Sequence, residues 1–201
     1  ETGFIFCCFN NSNKYSPSIF DSWMKILSKV NDSVLLLYAD NESVKTNLRN
    51  EITLRGIKPS RLIFGDRLPM PEYLARFKII DLFLDTLPFN AGTTASDALR
   101  SGLPILTCKG KSFAGRMCSS LLNAVNLPEL ITCSLEHYES LAIELATNPE
   151  QLKIIRDKLD KSLPTAPLYN STLFTKNIEC AYSMIYERMQ NKFNVEHIIV
   201  E

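Results

Sequence analysis

The segment LDTLPFNAGTTASDALRSGLPILTCKG (residues 84–110) decides the fold class of this chain. An apolar run ends at Asp85, a short loop of Pro, Asn and Gly follows, Thr93 and Thr94 open a stretch of helical character, and a second apolar run closes the segment. Apolar runs that do not alternate with polar residues, and that are bounded by helices, are typical of a parallel sheet covered on both faces. The segment therefore predicts a strand, a loop, a helix and a second strand.

The same alternation continues on both sides of this segment. Apolar runs that predict strands lie at residues 4–9, 33–39, 61–66, 81–86, 103–108 and 129–131, and segments of helical period separate them. One of these helices is predicted over residues 112–125. The pattern predicts an α/β fold with a Rossmann-like parallel sheet and helices on both faces.

The last third of the chain is predicted to be helical, with helices at residues 135–146 and 149–163 and a long amphipathic helix after the break PTAPLYN. In the long helix, apolar residues at helical spacing predict a buried stripe of Phe174, Ile178, Ala181, Tyr182, Ile185 and Met189. We assign residues 1–190 to one domain and residues 191–201 to a tail.

Composition excludes several classes of protein. The 22 basic residues balance the 22 acidic residues among 201, so no overall field attracts nucleic acid or an anionic membrane. No apolar run is long enough to span a membrane, and the start lacks the pattern of a signal peptide. The early first strand suggests a piece of a longer chain. Six cysteines without zinc-site spacing, mostly in apolar segments, predict a reducing, cytoplasmic location.

Two loops carry candidate chemistry. In FNNSNKYSPS (residues 9–18), Lys14 precedes a helix with Ser16 as the expected N-cap and Pro17 at its first position. A helix N-terminus favours anions, so a lysine beside it indicates a bound anion. An ordinary exposed lysine is the alternative. The loop has no G-x-G-x-x-G motif, which argues against a conventional NAD site.

The second loop is the opening segment. Thr93 and Thr94 stand at a helix start, where free N–H groups and the helix dipole bind phosphate, and Asp97 lies one turn later, within reach of a sugar hydroxyl. The alternative is a plain capping threonine with a first-turn acid. The two histidines, His137 and His197, are far from both loops in sequence, so no nucleophilic triad is predicted, and no metal-binding cluster is visible.

These loops carry a resemblance to a known family. Residues 6–27, 60–69 and 81–107 resemble the C-terminal catalytic half of the O-linked N-acetylglucosamine transferase and SPINDLY family, glycosyltransferase family 41. The similarity covers roughly residues 3–190 and includes F-N-x-x-x-K-x-x-P and D-T-x-P-x-N-x-x-T-T-x-x-D, which are specific in combination. It implies the C-terminal half of a GT-B enzyme, in which two Rossmann-like domains face each other across a cleft. The NAGTTASDAL form is similar to bacterial members.

The resemblance also implies site residues. Lys14 matches the lysine that contacts the diphosphate and stabilises the departing charge, and Thr93 and Thr94 match the threonines of the phosphate-binding helix start. Asp97 matches the acid near the ribose, and Arg76 the arginine beside the uracil. The remaining nucleotide-sugar contacts implied by the resemblance are Asn11, Leu68, Tyr73 and Gly92.

Several positions depart from the animal enzymes. Asn11 replaces a glutamine, Gly92 the histidine of GHTT, and Tyr73 a histidine that stacks on the base. Met70 replaces a lysine near the ribose, which leaves the choice between UDP and GDP open.

The resulting expectation is the donor-binding domain of an inverting glycosyltransferase that moves N-acetylglucosamine from UDP-N-acetylglucosamine to Ser or Thr of proteins. No metal or cofactor is expected, and the protein acceptor would be presented by tetratricopeptide repeats in a missing N-terminal region. The alternatives are a non-catalytic nucleotide- or partner-binding module and a GT-B enzyme with a small-molecule or glycan acceptor.

Overall fold

The computed structural model describes residues 3–200, which form a six-stranded parallel sheet with eight α-helices. The strands are β1 (Ile5–Cys8), β2 (Val34–Tyr38), β3 (Leu62–Gly65), β4 (Leu82–Leu84), β5 (Ile105–Cys108) and β6 (Ile131–Thr132). The helices are α1 (Pro17–Lys29), α2 (Glu42–Leu54), α3 (Met70–Arg76), α4 (Thr93–Arg100), α5 (Met117–Ala124), α6 (Leu135–Thr147), α7 (Pro149–Ser162) and α8 (Ser171–Gln190).

The strand order is β3-β2-β1-β4-β5-β6, which is the order of a Rossmann fold. The neighbouring strands β4 and β5 are buried at every position, so both faces of the sheet are covered there. The predicted fold class is confirmed. The order reverses between β1 and β4, which pair directly, and this is the point where such sheets bind ligands.

A buried chain of hydrogen bonds joins the helical layer to the end of β4. The Trp23 indole N–H of α1 donates to the Tyr138 hydroxyl of α6 at 3.1 Å, and that hydroxyl donates to the backbone carbonyl of Asp85 at 3.0 Å. Neither aromatic side chain is exposed. The two helices are thereby held in register with the strand that leads into the opening loop.

The helix predicted over residues 112–125 begins later than expected. Residues 112–116 form a loop and a short 3-10 turn, and α5 starts at Met117. The Gly110 N–H donates to the Gly115 carbonyl at 2.6 Å, and a Cβ on Gly115 would lie 2.9 Å from the carbonyl oxygen of Pro88. The close approach of these two loops favours a tight turn over a helix here.

The prediction of a buried stripe on α8 is wrong. No residue of α8 is buried, and Phe174 and Met189 are 66% and 64% exposed. Helical spacing shows which residues share a face, but a partner element is needed to cover that face. The domain boundary at residue 190 stays a prediction; α8 ends there, and residues 1–2 and 201 of the assigned domain and tail lie outside the described residues.

Within residues 3–200, no helix combines the length and the apolar character that crossing a membrane requires.

We expect Tyr138→Phe to lower the free energy of unfolding, because it leaves the buried Trp23 N–H and the Asp85 carbonyl without their partner. Each unsatisfied buried group is worth about 1–3 kcal/mol. Denaturant unfolding of the variant measures the loss. Tyr186→Phe on exposed α8 is the matched control and should have no effect; equal stability of both variants would contradict the structural role of this hydroxyl.

Candidate functional site

The two loops singled out in the sequence meet at the carboxyl edge of the sheet. β1 and β4 are neighbours, so the connection after β1 (residues 9–16) and the loop after β4 (residues 85–92) lie side by side. The Ser16 hydroxyl donates to the Leu87 carbonyl at 2.9 Å, and the Asn10 amide donates to the Thr86 hydroxyl at 2.7 Å. Two segments about seventy-five residues apart in sequence are thus joined directly.

The β1–α1 connection is shaped by local capping. Asn11 caps a 3-10 turn over Ser12–Lys14 by accepting from the Asn13 N–H at 3.2 Å. Ser16 caps α1 with Pro17 at its first position, as predicted. The Tyr15 hydroxyl lies within hydrogen-bond distance of three carbonyls, the shortest at 2.8 Å to Asn10. The turn that carries Lys14 is therefore anchored to the sheet.

Lys14 points to the loop after β4. Its Nζ donates to the Asn90 carbonyl at 3.2 Å and lies 4.0 Å from the centroid of the Phe89 ring. Burial lowers the pKa of Lys14, and the nearby Asp85 carboxylate opposes this shift. Among the described residues Lys14 makes no salt bridge, so its remaining N–H donors are available to an anion.

Behind this loop lies the buried carboxylate of Asp85. Its Oδ1 accepts from the backbone N–H groups of Thr86 at 2.8 Å and Ala91 at 2.7 Å, and its Oδ2 accepts from the Thr107 hydroxyl at 2.7 Å. Burial raises the pKa of Asp85 from 3.8 to about 6, although these donors act in the opposite direction. The carboxylate is thus ionised at neutral pH and closes the loop from within.

The start of α4 offers unpartnered backbone donors. Gly92 is the N-cap and no side chain caps this end, while Thr93 is exposed and Thr94 half-buried. Free N–H groups at a helix start bind phosphate. A Cβ on Gly92 would meet only Met117 Cγ, at 3.6 Å, so the structure leaves room for a side chain at this position.

A cleft of about 400 Å³ opens beside this helix start. It brings together five predicted residues, namely Leu68, Tyr73, Arg76, Thr94 and Asp97, with the departing position Met70 and with Phe9, Tyr38, Asp66 and Arg67. Asn11, Lys14, Gly92 and Thr93 do not line this cleft but lie on the adjoining loops. Asn11 is exposed, and its side-chain oxygen is used in capping.

The floor of the cleft is aromatic. The Tyr73 ring lies 6.2 Å from Phe9 and makes an edge contact with Phe77 at 5.1 Å. Burial, with a further contribution from the charge of Asp97, raises the pKa of the Tyr73 phenol. Tyr73 is therefore neutral, and its ring is packed against two other aromatic rings.

Arg76 is held over the end of β3. Its guanidinium donates to the Asp66 carbonyl at 2.8 Å and lies 5.4 Å from the Phe9 ring centroid. A Cβ on Gly65 would lie 2.5 Å from Arg76 Nη1, so only glycine leaves space for this arrangement.

Sequence reasoning missed Phe9, Gly65 and Phe89, and it assigned no role to Asp85. A glycine at the end of an apolar strand and an aspartate at the end of another were the available signals.

No group of three or more potential metal ligands occurs in residues 3–200. A larger hollow, of about 930 Å³, lies at the opposite edge of the sheet between Phe4, Asp81 and Arg156, away from both loops.

The elevated pKa of Asp85 predicts an unusual pH dependence of stability. Because the pKa of Asp85 in the folded protein, about 6, lies above the ordinary aspartate pKa of 3.8, folding favours the protonated form. The stabilisation of the folded state by the protonated Asp85 side chain is complete below about pH 4 and is lost as the pH rises through about 6. The free energy of unfolding of the wild type, relative to Asp85→Asn, should fall by roughly 3 kcal/mol over this range.

Denaturant unfolding of both proteins at pH values from about 4 to 7 measures this difference. Subtracting the variant removes the contributions of the other carboxylates. A difference that stays constant or rises with pH would contradict the assigned pKa.

Comparison with known proteins agrees with this geometry. The model of the family "Glycosyl transferase family 41" matches residues 1–178. The UDP-N-acetylglucosamine–peptide N-acetylglucosaminyltransferase of Caenorhabditis elegans is 30% identical over 98% of this chain and 17% of its own length. The probable enzyme of the same name, SEC, from Arabidopsis thaliana is 34% identical over 90% of this chain and 19% of its own.

Comparison with solved structures shows the same family relationship. A mutant O-GlcNAc transferase from Thermobaculum terrenum superimposes with a TM-score of 0.85 at 32% identity and covers 90% of this chain and 36% of that one. The C-terminal domain of a glycosyl transferase group 1 family protein from Francisella tularensis, at 15% identity and a TM-score of 0.60, shares the fold. The chain spans about a fifth of the length of the curated relatives it matches. Because the family model matches most of the chain, and these relatives match nearly all of it, the chain belongs to glycosyltransferase family 41.

Proposed function

We propose that this chain is the donor-binding domain of an inverting glycosyltransferase that moves N-acetylglucosamine from UDP-N-acetylglucosamine to Ser or Thr hydroxyls of proteins. The observation that carries the proposal is the position of Lys14, held at 3.2 Å by the Asn90 carbonyl on the loop that leads into the uncapped start of α4. A cation and a set of free N–H donors on adjacent strand ends suit a diphosphate. The names of the relatives support both the donor and a protein acceptor.

Each site residue takes a role in this proposal. Lys14 and the N–H groups and hydroxyls of Thr93 and Thr94 hold the diphosphate, with Gly92 giving access to it, and Asn11 lies at the edge of this phosphate site. The residues of the cleft hold the nucleoside, with Tyr73 stacking on the base, Arg76 and the Leu68 backbone at its edge, and Asp97 on the ribose.

Catalysis by this domain would be electrostatic. The acceptor hydroxyl attacks the anomeric carbon from the face opposite the nucleotide and releases its proton, the bond to the diphosphate breaks, and negative charge develops on the departing oxygen. Fixed donors at that oxygen stabilise the transition state more than the ground state. Lys14 and the α4 start supply this positive charge, so the proposal includes no metal or cofactor.

The compartment is part of the same proposal. The six cysteines are unpaired in the structure, and four of them are buried in the core. Thiols of this kind are typical of proteins from a reducing compartment, which supports a cytoplasmic location.

Lys14→Ala in the complete transferase should lower kcat about 10²- to 10³-fold, the usual effect of removing one donor from a developing oxyanion. The fold should persist, because Lys14 is only part-buried and makes no salt bridge with any of residues 3–200. Sugar transfer to a protein acceptor is the measurement. Lys29→Ala, at the far end of α1, is the control, and near-normal turnover by the Lys14 variant would remove the role assigned here.

The isolated chain should bind UDP and UDP-N-acetylglucosamine in preference to GDP and inorganic phosphate. NMR titration should shift the backbone amides of Thr93 and Thr94 together with the Tyr73 ring, because the nucleotide spans both parts of the site. The parallel titrations also show whether the site prefers UDP or GDP. The sequence leaves this choice open because Met70 puts no cation beside the ribose. Equal response to all four compounds would favour a module without nucleotide specificity, and stronger binding of GDP would reassign the donor.

A further inference from the structure

The geometry points to Asp85 as a positioning residue for Lys14: its carboxylate fixes the loop that holds the Lys14 ammonium. The inference rests on the proposed function, in which Lys14 meets the departing diphosphate. Asp85 itself is 1% exposed, and within residues 3–200 its carboxylate is hydrogen-bonded to Asn10, Thr86, Ala91 and Thr107, none of which is assigned to the donor.

The first part of the argument is the closure of the loop. A single oxygen of Asp85 accepts the N–H of Thr86, where the loop begins, and the N–H of Ala91, where it ends. The Asn10 amide, from the end of β1, donates to the same oxygen at 3.3 Å. The six residues between Asp85 and Gly92 are therefore tied to one carboxylate.

This closed loop is the one that holds Lys14. Both contacts of the ammonium, the Asn90 carbonyl and the Phe89 ring, come from residues between the two bonded N–H groups. Gly92, the N-cap of α4, directly follows Ala91. The same carboxylate thus sets the position of Lys14 relative to the helix start that would hold the phosphates.

The second part is charge. Burial lowers the pKa of Lys14, and the charges that oppose this are those of Asp85 and Cys8. Burial also raises the pKa of the Cys8 thiol, so that group is neutral near pH 7 and Asp85 supplies the negative charge. A carboxylate bonded directly to the ammonium would compete with a diphosphate for it. Placed behind the loop, Asp85 acts on Lys14 without occupying its free donors.

The other titratable groups around this pair are held neutral. Burial raises the pKa of each of them, and they are Cys8 of β1, Tyr15 next to Lys14, Cys108 of β5, Cys118 of α5 and Tyr138 of α6. Asp85 and Lys14 are therefore the pair whose charge state changes the site between mildly acidic and alkaline pH.

The test uses Asp85→Asn in the complete transferase that carries this chain. We expect kcat to fall about 10- to 100-fold, as for other residues that orient a functional group. We also expect the alkaline limb of the pH–rate profile to move to lower pH, because Lys14 loses the charge that keeps it protonated. A titration of the Lys14 Nζ by NMR in both proteins should show the same downward shift of its pKa without depending on turnover.

Asp81→Asn is the matched control. Asp81 lies at the other end of β4, where its carboxylate accepts the Ile5 N–H at 2.8 Å and pairs with Arg156 at 3.2 Å. This variant removes the same charge from the same strand, and kcat and the pH profile should remain those of the wild type. An equal change in both variants, or an unchanged Lys14 pKa in Asp85→Asn, would overturn the proposal.

Thr107→Val tests the same role if Asp85→Asn does not fold. It removes one donor to Asp85 and no charge, so the pKa of Asp85 should rise and the acid limb should move to higher pH while the alkaline limb stays. An unmoved acid limb would count against the role of Asp85. Failure of the proposed function would appear differently, as a wild-type protein that neither binds UDP nor transfers sugar, and the Lys14 titration would still decide the present proposal.

Discussion

The parallel pairing of β1 with β4 is the constraint on which the site depends. Phe6 lies opposite Leu82 and Cys7 opposite Phe83, so the two strands end at the same edge although they are far apart in sequence. Every cross-link of the site follows from this pairing, including the bonds from Lys14, Ser16 and Asn10 to the loop after β4. A shift of one residue in this register would reverse the faces of the strand and separate these partners.

The pairing of β1 with β4 also places a charged group, the Asp85 carboxylate, in the protein interior. Because its pKa is about 6 rather than the ordinary 3.8, ionised Asp85 lowers the free energy of unfolding at neutral pH by roughly 3 kcal/mol. Small domains have only about 5–15 kcal/mol of net stability, so this is a substantial fraction. Four donors converge on the carboxylate, and an uncharged apolar residue would leave them unsatisfied. These four hydrogen bonds offset part of the cost of burying the charge.

Local signals in the sequence predicted most of the fold and part of the site. Apolar runs located the strands, Ser16 and Pro17 marked the start of α1, and Thr93 the start of α4, because each depends on a few neighbouring residues. The Asp85 network and the contact between Gly65 and Arg76 depend on which strands and helices are adjacent, which spacing along one chain does not reveal. The prediction of a buried stripe on α8 was wrong for a related reason. The apolar residues do recur at helical spacing, but this spacing does not show whether another element covers that face.

The two ends of the candidate site are built differently, so substitutions have different effects at each end. The end proposed to hold the diphosphate consists of Lys14 and the start of α4, and the buried bonds of Asp85 close the loop between them. The end proposed to hold the nucleoside consists of side chains on and around α3, where Met70 is 61% exposed and no residue of the helix is buried. In the proposed function, substitutions at Met70 and Tyr73 would alter contacts with the base and the ribose without changing the contacts with the diphosphate. Donor choice within the family is expected to vary at α3, and the chemistry at the loop after β4 to stay fixed.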